Sequence, residues 1–439
     1  MNLIFDTICA TATPLSTGGI GIIRISGKSA HEIVQSLFDK KIKPKMINHG
    51  WIIHEGKKID EVIVLPFVAP HSFTGEDVAE IQTHGSPVVI NKILELVLKK
   101  GARLADRGEF TKRAFLNQKM DLSQAEAVLD LINAKTEKSA QGAANNLSGT
   151  LSNKINEIKN EISELLGKII ASLDFPEDVA EVEYDEIIQK TQNSIDKIEE
   201  ILKNARTHNI LRQGIKIAII GRPNVGKSSL FNSLLNINRA IVTEIEGTTR
   251  DTITETIDIE GICATLVDTA GIREKGSDVV EDIGIEQSKS AICDADIVLC
   301  LYDGVCGITD EDREIFNLAK DKNHILIQTK SDISKNRENF SISSKTQEGI
   351  EELKKMIYEK IIGLNPNESE FLTNQRHQEC LNNALDSLQN AHCAACDEQL
   401  QDLISIDIKS ALLALGEIGG EVITDEILNN IFENFCIGK

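Results

Sequence analysis

Nine residues, 221–229, read GRPNVGKSS and constrain this chain more than any other stretch. An apolar β-branched run, KIAII, precedes them, and SLFNSLLN follows with helical apolar spacing. Strand, glycine-bearing loop and helix, with Lys-Ser closing the loop, make a phosphate-binding loop. Each part has a chemical reason. Glycines let backbone N–H groups turn toward phosphate oxygens, and the start of the helix adds partial positive charge. Lys227 then reaches the β- and γ-phosphates, and Ser228 ligates magnesium.

Three further stretches narrow a nucleoside triphosphatase to a GTPase. In GTTRD (247–251), Thr249 completes the magnesium shell. DTAG (268–271) ends a strand, where Asp268 holds the metal through water and Gly271 senses the γ-phosphate. TKSD (329–332) ends a later strand, and Asp332 accepts the paired N–H groups of guanine, a pattern adenine lacks. SSK (343–345) closes over the base. Two positions depart from the usual pattern. Thr329 stands where guanine-binding loops carry Asn, so weaker bracing of the base loop and reduced GTP affinity are expected. Ile272 stands where Ras-like switches place a water-orienting glutamine. Hydrolysis then needs another source of charge and another group to orient water. Asn224 offers an oxygen for a monovalent cation, and Glu281 offers a carboxylate.

At 439 residues the chain exceeds one ordinary core, and roughly three domains are expected. The net charge of −21 argues against nucleic-acid binding over the whole surface. A local exception is residues 101–119, where Arg103, Arg107, Lys112, Arg113 and Lys119 outnumber Asp106 and Glu109; a basic patch and a solvated helix face are both open readings. No apolar run approaches the ~18 residues of a membrane span, and nine cysteines without framework spacing or a secretion signal point to reduced thiols in the cytoplasm.

Residues 1–119 mix strands such as GGIGIIRISG and DVAEIQTHGSP with helical stretches, an α+β domain. Residues 120–213 are helical: Leu151, Ile155, Ile158, Ile162, Leu165, Leu166 and Ile169 form one stripe, broken at Phe175-Pro176. Residues 214–363 alternate apolar strands (KIAII, ATLVDTAG, ADIVLCLYD, HILIQTK, NFSISS) with helices, which implies a parallel sheet covered on both faces. Residues 364–439 return to helical periodicity. The fold class is therefore multidomain: an α+β N-terminal domain, a helical domain in two segments, and an inserted Ras-like P-loop domain. The acidic EDVAEVEYDE reads as a solvated linker, and CAAC (393–396) as incidental helix cysteines, since zinc needs a second ligand pair.

GGIGIIRISG, SFTGEDVAEIQTHG, RGEFTKRAFLNQKMDLSQAEAVLDLI, LDFPED, GRPNVGKSSLFN, EGTTRD, DTAGIRE, VEDIGIE and the terminal CIGK, in this order, resemble the MnmE (TrmE) family of tRNA modification GTPases from end to end. The resemblance implies a folate-binding N-terminal domain that forms a homodimer. It also implies a potassium-dependent G-domain dimer that hydrolyses GTP, with Asn224, Thr243, Ile245 and Thr248 around potassium and Ser228 and Thr249 on magnesium. Glu281 is then the catalytic glutamate. Expected GTP contacts are Asn224, Val225, Gly226, Lys227, Ser228 and Ser229; Thr243, Glu244, Ile245, Glu246, Gly247, Thr248 and Thr249; Asp268, Thr269, Ala270 and Gly271; and Lys330, Asp332, Ser343 and Ser344. Arg24, Glu80, Lys119 and Lys439 match the family's contacts to a tetrahydrofolate derivative, 5-formyl- or 5,10-methylene-tetrahydrofolate. Family members act on tRNA with the FAD-dependent protein MnmG (GidA) in a heterotetramer-type complex. Together they add an aminomethyl-type group, such as carboxymethylaminomethyl, at carbon five of the wobble uridine.

The last four residues place Cys436 where a lipid anchor would be attached, but glycine third and lysine last do not make a prenylation box. Two readings remain: a buried cysteine, or a tail held in the folate site with Cys436 beside the cofactor. A ribosome-assembly switch without RNA chemistry is the alternative function; such factors usually append a basic RNA-binding module. A mechanochemical membrane GTPase lacks the basic amphipathic helix it would need.

Overall fold

The structure is a computed structural model and describes residues 6–203, 205–237, 254–268, 292–334, 339–362, 371 and 373–439. Its chain divides into two compact units, residues 1–129 with 412–439, and residues 130–411.

The first unit contains β1 (Ile8–Thr11), β2 (Gly18–Ser26), β3 (Asn48–His54), β4 (Lys57–Phe67), β5 (Val78–Gly85) and β6 (Arg103–Leu104). Among the described residues they form one sheet in the order β3-β4-β5-β2-β1-β6. Period-two alternation sets its faces: Ala79, Ile81 and Thr83 of β5 are buried, whereas Glu80, Gln82 and His84 point the other way. Helices α1 (Ala30–Gln35) and α2 (Pro87–Lys99) cover the buried face with Ile33, Val34, Ile90, Ile93, Leu96 and Val97. Next come α3 (Glu109–Leu116) and α4 (Leu122–Asn133). The C-terminal helix Asp425–Glu433 buries Leu428 and Phe432, with Phe435 beyond it, against Leu122 and Ala125. That apolar contact fixes where the tail lies.

The second unit begins with α5 (Glu137–Leu147), α6 (Thr150–Asp174), α7 (Tyr184–Lys203) and α8 (Ala205–Gln213). The apolar stripe of α6 is buried at Leu151, Ile155, Ile158, Ile162, Leu165 and Ile169, and the helix ends just before Phe175-Pro176. A second sheet follows: β7 (Ile215–Ile220), β8 (Thr254–Ile259), β9 (Ile262–Asp268), β10 (Ile297–Asp303) and β11 (His324–Thr329), ordered β11-β10-β7-β9-β8. Helices α9 (Lys227–Ile237), α10 (Asp310–Asn317) and α11 (Ile350–Ile362) alternate with these strands. Two buried clusters, one around Leu230, Leu234, Leu353 and Ile357 and one around Ile292, Ala295 and Ala319, occupy opposite faces. After the sheet, α12 (Gln375–Cys396) packs on α7, so helices from both sides of the α/β segment meet; α13 (Gln401–Gly419) follows.

Two details differ from the sequence expectation. The sheet is mixed: β8 runs antiparallel to β9, joined by a two-residue turn in which Glu260 and Gly261 take φ of 52° and 88°. Two left-handed residues in succession are the geometry of a tight hairpin. NFSISS does not form a full strand. It lies beside β11 through hydrogen bonds from Gln328 N to Phe340 O (2.9 Å) and Ile342 N to Gln328 O (2.8 Å), then turns at Ser343 toward Glu348. Among the described residues, no helix is long and apolar enough to cross a membrane.

Candidate functional site

The phosphate loop leaves the C-terminal end of β7, the middle strand, and enters α9. Parallel strands end on one edge, so the loops after β7, β10 and β11 open on the same side, the usual ligand edge of such sheets. Gly221 has φ of 150°, and a Cβ there would strike the Leu301 carbonyl oxygen. Asn224 takes φ of 63°, a left-handed conformation Asn tolerates, and its side chain is exposed. Val225 beside it is buried. Lys227 Nζ donates to the carbonyl oxygens of Gly221 (2.7 Å) and Arg222 (2.8 Å), so the ammonium lies over the first turn of the loop. Ser228 and Ser229 are exposed at the start of α9.

The base-side loop starts where β11 ends. Thr329 is buried, and its hydroxyl lies 2.6 Å from the Val225 carbonyl oxygen and 3.0 Å from that of Tyr302. The residue that departs from the usual Asn therefore braces the phosphate loop directly. Lys330 adopts φ of 60° and donates to Asp303 at 2.6 Å. Burial works against the Asp303 carboxylate, but Lys330, the Val305 amide and Arg222 outweigh it and hold its pKa below the usual value. Asp332 accepts from the hydroxyl of the fully buried Ser343 at 2.9 Å, which fixes one carboxylate oxygen. The Ser344 carbonyl is held by Ser233 and Gln347.

Thr243, Glu244, Ile245, Glu246, Gly247, Thr248, Thr249, Thr269, Ala270, Gly271, Ile272 and Glu281 lie outside the described residues. Asp268 closes β9. The described members thus come from the loop after β7, the end of β9, the loop after β11 and the segment containing Ser343.

In the first unit, Arg24 on β2 and Glu80 on β5 are register partners and form an ion pair at 2.8 Å. The Arg24 guanidinium lies 5.4 Å from the Phe73 ring centroid and 5.8 Å from that of Phe110, two neighbours no sequence spacing announces. Lys119 donates to the Pro70 carbonyl, so the loop that carries Phe73 also meets Lys119. The tail returns to the same region. Gly108 N donates to the Cys436 carbonyl at 3.4 Å, Ile437 bridges to Arg107, and Gly438 packs on the Thr11 carbonyl with φ of 95°. Cys436 is exposed and Lys439 half-buried, while the adjacent Phe435 is the buried anchor.

The open question about residues 101–119 is answered by partners distant in sequence. Arg113 is buried and binds Glu109 (2.8 Å), Asp6 (2.8 Å) and Glu76 (3.2 Å). Arg103 pairs with Asp6 and Glu109, Arg107 reaches the Glu433 carbonyl, and Lys112 reaches Asn429. Arg103 and Arg113 are thus neutralised within the fold, whereas Arg107 and Lys112 reach neutral groups of the C-terminal helix. Cys393 and Cys396 are exposed, and no group of metal-ligating side chains occurs among the described residues.

Comparison with known proteins places this chain in a family. A model described as the MnmE helical domain matches residues 122–436, and one described as the GTP-binding protein TrmE N-terminus matches residues 7–119. The tRNA modification GTPase MnmE of Thermoanaerobacter sp. (strain X514) is 43% identical over 461 aligned positions, covering 100% of both chains. That of Clostridioides difficile (strain 630) is 43% identical, covering 99% of this chain and 100% of the relative. Among solved structures, Aquifex aeolicus Era bound to GDP and aluminium fluoride is 26% identical, covers 39% of this chain and 66% of its own, and has a TM-score of 0.28.

Proposed function

The chain belongs to the MnmE family of tRNA modification GTPases, and we propose that it hydrolyses GTP as one component of the enzyme that modifies the wobble uridine of tRNA. The observation that carries this reading is the meeting, on one sheet edge, of the Lys227 loop with the Asp332–Ser343 pair, held together by Thr329. Loop N–H groups and Lys227 bind the phosphates, and the Asp332 carboxylate accepts the paired guanine N–H groups.

Ser228, with Thr249, is the proposed magnesium set, and Asn224, with Thr243, Ile245 and Thr248, the proposed potassium set. The exposed Ser228 hydroxyl and Asn224 amide offer the hard oxygen donors such cations take. When bound, these ions supply positive charge beside the phosphates. Glu281 orients the attacking water. Lys227 holds the phosphates in line for attack.

Arg24, Glu80, Lys119 and Lys439 form the proposed tetrahydrofolate site. The shared loop of Phe73 and Pro70 and the docked tail support that assignment, and Cys436, exposed on that tail, is the proposed catalytic thiol. A homodimer, an FAD-dependent partner and a cytoplasmic setting complete the proposal.

GTP turnover in potassium and sodium buffers at several protein concentrations tests it. Faster turnover in potassium, rising per chain with concentration, is expected. Equal rates in both salts at all concentrations would overturn the cation-linked dimer.

A further inference from the structure

We propose that Arg222 is a positioning residue of the phosphate loop: the buried carboxylate of Asp312 pins its side chain, and its backbone carbonyl then seats Lys227. The inference rests on the GTP-binding reading above.

Asp312 is completely buried at the third residue of α10. One of its oxygens, Oδ2, accepts from the Thr309 amide (3.0 Å) and hydroxyl (2.9 Å), which completes the capping box of that helix. Capping uses only this oxygen. The other, Oδ1, accepts from Arg222 Nε at 2.7 Å. A carboxylate removed from water requires a charged partner, and Arg222 supplies it. The guanidinium also lies 3.8 Å from Glu311, so acidic groups of α10 hold it.

Lys227 Nζ donates to the Arg222 carbonyl at 2.8 Å. Asp312, the Arg222 side chain, the Arg222 carbonyl and Lys227 are thus linked in series. The connection between β10 and α10 is fastened at both ends. Asp312 ties one end to the phosphate loop, while the Asp303–Lys330 pair and the bond from Ser334 to the Gly304 carbonyl (2.7 Å) tie the other to the base-side loop. Arg222 therefore acts on the phosphates through Lys227 and the loop backbone, in ground state and transition state alike. Loss of such uniform binding raises KM and leaves kcat unchanged.

The test measures steady-state GTP kinetics of the full-length chain and its R222K, R222M, D312N and R222M/D312N variants, with folding checked by circular dichroism. R222M and D312N are each expected to raise KM roughly tenfold, with kcat within about twofold, because a charge-assisted bond is removed. R222K, which still reaches Asp312, recovers much of the loss. The double variant resembles the worse single one, since both break one link. A fall in kcat at constant KM in R222M would overturn the proposal, as would multiplying effects in the double variant or an unchanged KM in a folded R222M. If R222M does not fold, D312N, which keeps side-chain shape, carries the same readout. Wild-type chain that neither binds nor hydrolyses GTP would instead defeat the GTPase reading itself.

Discussion

The hydroxyl of Thr329 lies 2.6 Å from the carbonyl oxygen of Val225, joining the end of β11 to the phosphate loop across 104 positions of sequence. Its second neighbour, the Tyr302 carbonyl at 3.0 Å, brings in β10. One short side chain thus couples three strand ends.

Replacing Thr329 by valine keeps the shape and removes the proton. The carbonyl that accepted its one proton then loses a donor, at a cost of about 1–3 kcal/mol. Binding of a fluorescent guanine nucleotide is expected to weaken roughly tenfold or more in T329V and to stay near wild type in T329S, which retains the hydroxyl. Equal affinity in T329V and wild type would show that the brace has no bearing on the site.

Arg113 holds three carboxylates inside the first unit. Removing a buried ion partner leaves uncompensated charge, so R113M should destabilise this unit by about 3–5 kcal/mol. Trp51, the chain's single tryptophan, lies on β3 of that unit and reports its urea unfolding by fluorescence. Burial alone raises the pKa of Glu109, but Arg103, the Asp106 amide and Arg113 reverse this and leave it below the ordinary 4.5. The unfolded chain therefore takes up that proton first as pH falls. Its stabilising contribution is complete above 4.5 and is lost as pH drops through the lower folded value. E109Q should flatten this acid limb.

His208 works in a different window. Burial pushes its pKa down to about 4, against 6.5 when unfolded. Its Nδ1 lies 3.0 Å from the Thr373 hydroxyl, and its ring meets Phe371 edge-on at 5.6 Å. Between those pKa values the unfolded chain carries the proton and the folded chain does not. Stability of the second unit is thus expected to fall by up to about 3 kcal/mol as pH drops through that range. Urea midpoints by far-ultraviolet circular dichroism should decline over that range in wild type and stay level in H208Q.

What could be read in advance was local. The phosphate loop is nine contiguous residues, the α6 stripe carries its helical period, and β7, β10 and β11 are apolar runs in the chain itself. Partners separated by long stretches were not legible. Residues 101–119 read as a possible basic patch because Asp6 and Glu76, which neutralise Arg113, lie far upstream. The Thr329 contact is hidden in the same way, because the Val225 carbonyl lies 104 positions upstream. Nothing local marks Arg222, since Asp312 lies 90 positions away. The β8 hairpin is poorly marked in sequence because its turn, Glu260-Gly261, is a weaker signal than the Asn-Gly or Asp-Gly pairs that mark such turns. In the tail, Cys436 drew notice while Phe435 makes the buried contact.

Base choice offers the sharpest test of the site. Ser343 orients Asp332, which in the proposed reading accepts guanine's paired N–H groups; an amide there would instead donate to a carbonyl. Xanthine carries a carbonyl where guanine carries its amino group. Turnover of GTP and of xanthosine triphosphate should therefore be measured for wild type and D332N. Wild type is predicted to use GTP and D332N to prefer the xanthine nucleotide; undiminished GTP turnover by D332N, with no gain on the xanthine nucleotide, would contradict the assignment.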